Sequence, residues 1–70
     1  MSERVFKRFA TQRQATKWAK EQAKINRVEL IVLEVADQLR DIPYVVDSDL
    51  LIRNNERRIT GFGCDGSTIK

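Results

Sequence analysis

Apolar and polar positions alternate weakly from Arg4 to Phe9, with Val5, Lys7 and Phe9 on one side and Phe6 and Arg8 on the other. A period of two predicts a short strand. Its lysine and arginines would discourage further pairing, so an edge position is expected. From Thr11 the period changes. Thr11-Gln12-Arg13-Gln14 fits a capping box, and the residues up to Ile25 are good helix formers with no Gly or Pro. At about 100° per residue, Ala15, Trp18, Ala19, Ala23 and Ile25 share one side of this helix. The small alanines would let it lie close against a sheet, with Trp18 as the main anchor. Asn26 is expected to end it.

Val28 to Val35 is rich in β-branched residues and continuously apolar from Leu30 to Leu33, which favours a buried strand. A helix is the alternative. Asn26-Arg27-Val28-Glu29 would be a second capping box, and Val28, Val32, Val35, Leu39 and Ile42 recur at spacings of four and three. Ala36 to Asp41 reads as a connection, Pro43 as a strand start and Tyr44 to Val46 as a strand. Asp47-Ser48-Asp49 resembles a turn. Leu50 to Arg53 and Arg57 to Phe62 then flank Asn54-Asn55-Glu56 as a hairpin, and Gly61, Gly63 and Gly66 mark an irregular tail.

The expected architecture is α+β, one domain over residues 1–70. One amphipathic helix packs on a small, mostly antiparallel sheet in the order β-α-β-β-β-β. This order raises a packing question. Leu30 and Val32 point opposite to Ile31 and Leu33, so both faces of that strand are apolar, while one helix covers one face. A second copy of the chain, a partner protein or the C-terminal tail is expected to cover the other.

Composition narrows the chemistry. The chain has no histidine, which removes the commonest general base and the commonest transition-metal ligand. Its one cysteine, Cys64, allows no internal disulfide, and no catalytic, cofactor or zinc site is legible. No apolar run follows the N-terminal Met1-Ser2-Glu3-Arg4, and none is long enough to span a membrane. A cytoplasmic, non-enzymatic protein is expected.

Charge carries the strongest signal. The formal net charge is +3, but residues 1–28 sum to +6 and the rest to −3. Arg13, Lys17, Lys20, Lys24 and Arg27 recur at spacings of 4, 3, 4 and 3, one narrow stripe nearly opposite Trp18 and the alanines. Glu21 is the only acid between Gln12 and Arg27. Aligned cations repel one another, so a helix that needed only solubility would interleave Glu with Lys. The stripe is either a solvated face balanced by acids such as Asp37 or Asp41, or a docking ridge for an acidic protein surface or a phosphate backbone.

Other motifs are weaker. Gly61-Phe62-Gly63-Cys64-Asp65-Gly66 has G-x-G-x-x-G spacing, but too few residues follow for the helix a dinucleotide site needs, so the glycines are read as turns. Cys64 has no histidine to activate it. Asp41, Asp47 and Asp49 are a candidate carboxylate cluster, read as a turn. Arg53, Arg57 and Arg58 form a second basic patch or pair with those aspartates.

The sequence is thus expected to encode a small regulator or inhibitor. It would dock on a protein complex that handles nucleic acid, through the basic helix face, the spare sheet face, or both. Its size suits a phage or mobile element. Direct nucleic-acid binding without sequence selectivity, by the same ridge and aided by a homodimer, is the alternative.

Overall fold

A computed structural model describes residues 4–69. Its elements are β1 (Phe6–Phe9), α1 (Gln12–Asn26), β2 (Leu30–Val35), β3 (Tyr44–Asp47), β4 (Glu56–Phe62) and β5 (Thr68–Ile69). The five strands form one antiparallel sheet in the order β1-β3-β2-β4-β5, with β1 at one edge. No described helix is long and apolar enough to cross a membrane. The N-terminal Met1-Ser2-Glu3 lies outside the described residues.

Helix α1 starts where the cap predicts. Thr11 has extended backbone, and its hydroxyl accepts the Gln14 N–H at 3.2 Å. Ala15, Ala19 and Ala23 are fully buried. Spaced by four, they make one smooth row that lets the helix axis approach the sheet. Leu30, Val32, Val46 and Phe62 meet them from the sheet, with Phe9, Trp18, Val28, Tyr44 and Ile59 packed around the margin. Two residues depart from the expected face. Ile25 is 70% exposed, because at 100° per residue it lies about 120° from the centre of the Ala15-Ala19-Ala23 row that meets the sheet. Trp18 is a half-buried marginal residue stacked on Phe9, not the central anchor.

Val28 to Val35 forms strand β2 from Leu30 onward, not a helix. It takes the centre of the sheet, the place for a strand apolar on both faces. Here the sheet departs from the sequence-based expectation. Leu50 to Arg53 is not a strand and makes no hairpin with β4. The strand beside β4 is β2, so the chain must cross β2 between β3 and β4. The fifth strand is instead β5, in the segment expected to be irregular.

That crossing answers the packing question. β1 and β2 are parallel with β3 between them, and α1 connects them. β3 and β4 are parallel with β2 between them, and residues 48–55 connect them. Both steps move the same way along the sheet but leave from strands of opposite direction. Crossovers of the same right-handed sense then lie on opposite faces. The 48–55 strap therefore runs over the face that α1 leaves open. Ile31, Leu33, Val35 and Val45 form a second core cluster there, none more than 7% exposed.

The strap is pinned at both ends. Ser48 N–H donates to Val5 O and Val5 N–H to Ser48 Oγ, each at 2.9 Å. Asp49 N–H donates to Asp47 Oδ1 and Leu51 N–H to Asp49 Oδ1. At the far end Arg53 N–H reaches Glu56 Oε1, and Ala36 N–H donates to Asn55 O at 2.8 Å. These short-range aspartate bonds are the turn signal of the D-S-D sequence, put to use at the start of a crossover.

Candidate functional site

The fold uses its acidic residues on the sheet side. Asp47 is 4% exposed and takes a bidentate pair from Arg4, Nε to Oδ1 at 3.0 Å and Nη2 to Oδ2 at 2.7 Å. Arg8 grips Asp37 in the same way at 2.9 and 3.0 Å and donates to Ile42 O, which ties β1 to the β2–β3 connection. Arg57 meets Glu34 at 2.8 Å and Arg53 meets Glu56 at 4.0 Å. The expected pairing of Arg53, Arg57 and Arg58 with the aspartates is thus replaced by pairing with glutamates, and Arg58 donates to Ile69 O.

Burial alone would push the Asp47 carboxyl up, but hydrogen bonds from Arg4 and the Asp49 N–H, with the nearby Arg53 charge, hold it below its ordinary value. The Arg8 guanidinium likewise lowers Asp37. A carboxyl whose pKa is depressed by folding stabilises the fold above its unfolded value, about 4. That contribution is lost as pH falls through the lower folded value. Stability is therefore expected to be level above about pH 5 and to fall below about pH 4. Asp47→Asn should cost about 1–3 kcal/mol at neutral pH and flatten this acid decline. A urea midpoint equal to that of the parent at pH 7 would contradict the role given to Asp47.

The carboxylate cluster does not assemble. Asp47 and Asp49 stay together at the strap, while Asp41 lies beyond the other end of β3. Among the described residues no group of three His, Cys, Asp or Glu is placed to hold a metal ion. The glycine motif is the β4–β5 hairpin. Gly63 N–H donates to Ser67 O, and Gly66 N–H to Gly63 O. Gly66 has φ +84°, and a side chain there would meet Lys24 Cβ at 3.2 Å, so glycine is required where this turn rests on α1. Cys64 is exposed in the same turn.

The basic ridge presents a different picture. Arg13, Lys17, Lys20, Lys24 and Arg27 are all exposed, and among the described residues none makes a salt bridge. Asp37, named as a balancing acid, is taken by Arg8. From Arg13 to Lys24 the row extends about 16 Å at 1.5 Å rise per residue. The first turn of α1 has no acidic residue, so Arg13 adds to the positive end of the helix dipole. Arg27 differs from the expected wheel position. It is the C-cap residue, left-handed at φ 53°, and its N–H donates to Ala23 O. An arginine thus stands where glycine is the usual residue.

Sequence reasoning missed one feature beside the ridge. Phe9 and Trp18 pair at 5.5 Å between ring centroids with a 51° tilt. Lys7 Nζ lies 5.4 Å from the Phe9 centroid and 5.5 Å from that of Trp18. Gln14, Lys17 and Glu21 complete a shallow cleft of about 380 Å³ between β1 and α1. The signal was present in the alternation that put Lys7 and Phe9 on one side of β1, but the partner strand that turns this side toward α1 is not local. No family model, curated protein or solved structure matches the chain.

Proposed function

We propose that this protein is a non-enzymatic binding module that docks through the exposed basic face of α1 on a nucleic-acid backbone. One observation carries this reading: five exposed cations along α1 and its C-cap have no ion-pair partner among the described residues, while Arg4, Arg8, Arg53 and Arg57, on the strands and the segments that flank them, are each matched to a carboxylate. An unpaired row of this kind repels itself, and a phosphate backbone relieves that repulsion while releasing counterions. The sheet face that favoured a protein partner carries a cluster no more than 7% exposed, on the side where the strap crosses, which moves the weight toward nucleic acid. Contacts to phosphate carry no sequence information, so little sequence preference is expected.

Fluorescence anisotropy of a labelled oligonucleotide tests the proposal. Five phosphate contacts would lower the affinity about a hundredfold or more between about 50 and 200 mM salt. Failure to bind at the lower salt would exclude it.

A second reading keeps a role as a regulator of a nucleic-acid-handling protein complex. It is favoured by the strap's outer surface, where Leu50, Leu51 and Ile52 are 48%, 62% and 43% exposed in succession. Consecutive exposed apolar residues are uncommon unless something covers them. Binding that survives high salt and is lost in a Leu51→Asp variant would favour this reading.

A further inference from the structure

We infer that the cleft between β1 and α1 is a base-stacking site, which makes the ligand of this protein single-stranded nucleic acid. The inference rests on the docking ridge proposed above and adds the form of the strand. A ridge of cations alone treats single strands, duplexes and any polyanion alike. The cleft supplies what a duplex cannot use: two half-buried aromatic rings at the margin of the core, tilted by 51°, with the exposed Lys7 lying over both. Unpaired bases stack on such rings regardless of sequence.

Lys7 currently holds the place over both rings. An exposed cation–π contact of this kind is weak compared with stacking of a base on an aromatic ring, so a base can displace the ammonium. The flexible lysine then turns to a phosphate. Lys17 borders both the cleft and the adjoining hollow lined by Arg13 and Lys20, so one strand can place phosphates on the ridge and a base in the cleft. Glu21 at the rim opposes this by repulsion, which limits the cleft to a base rather than a phosphate.

Trp18 is the only tryptophan, so its emission reports the cleft directly. A short oligothymidylate, a duplex of equal length and inorganic polyphosphate are each titrated into the full chain at low salt. The expected result is saturable quenching of Trp18 by the single strand, with binding of the duplex and polyphosphate leaving its emission unchanged. Trp18→Leu, followed by anisotropy, should lower single-strand affinity about tenfold and leave polyphosphate affinity intact. Because Trp18 also touches the core, Gln14→Glu provides a second variant. It places a charge at the cleft rim on an exposed helix position and should weaken the single strand more than polyphosphate. Binding of all three ligands with Trp18 emission unchanged would overturn the stacking site and leave the ridge standing. Absence of binding by all three at low salt would overturn both.

Discussion

Reversing Lys17, Lys20 and Lys24 together to glutamate is expected to abolish the proposed nucleic-acid binding and to leave the fold in place. The three side chains are exposed and make no ion pair among the described residues, so no folded-state contact is lost with them. Glutamate is as good a helix former as lysine. The backbone and Cβ of Lys24 that support Gly66 are retained. One cost is foreseeable: an acid in the last turn opposes the helix dipole by about 0.3–1 kcal/mol. The binding term is far larger. The formal net charge passes from +3 to −3, and the ridge changes from attracting to repelling phosphates. Affinity should drop on the order of a hundredfold or more at low salt, since three of the five contacts are reversed. Circular dichroism and a urea midpoint check the fold in parallel. A folded triple variant that still binds as the parent does would remove the ridge from the function.

The largest stability effect is expected at Leu33. It is 1% exposed on the sheet face that α1 does not touch, in the cluster with Ile31, Val35 and Val45. If the 48–55 strap closes that face, Leu33→Ala leaves a cavity in a packed core and costs about 2–5 kcal/mol. A chain of this length has a total stability of roughly 4–10 kcal/mol, so the variant should be partly unfolded under mild denaturant. Leu51→Ala on the strap's outer side is the control. Leu51 is 62% exposed, and its loss should stay within about 0.5 kcal/mol. A loss at Leu33 below about 1 kcal/mol would mean that the strap does not seal the second face.

How far the fold could be read from the sequence follows from the range of the interactions concerned. Helix α1 was legible because its signals are local: Thr11 caps Gln14 within one turn, and the alanine row repeats at every fourth residue. The choice of strand for β2 was legible from its β-branched run. The crossover was not. Leu50-Leu51-Ile52-Arg53 has the composition of a strand and sits at hairpin distance from Arg57 to Phe62. Which strand pairs with β4 is decided by the two-faced apolar surface of β2, a non-local competition that periodicity does not record.

The same division holds for the candidate site. Arg13, Lys17, Lys20 and Lys24 were legible as one row because a helix fixes their directions. Arg27 was placed one step too regularly, since the wheel cannot show a left-handed C-cap. Whether the row was balanced depended on where Arg4, Arg8, Arg53 and Arg57 find their acids. Those pairs span up to 43 residues in the case of Arg4 and Asp47. The Phe9–Trp18 pair escaped for a related reason, joining an edge strand to the far flank of the helix.

The ridge as the contact surface is tested most directly by following backbone amide resonances while an oligonucleotide is titrated into the labelled protein. The largest shifts are expected on Arg13 to Arg27, fading with added salt, with Leu50 to Arg53 on the opposite face unmoved. Shifts concentrated on Phe6 and Leu50 to Arg53, with α1 silent, would contradict it and place the contact on the strap.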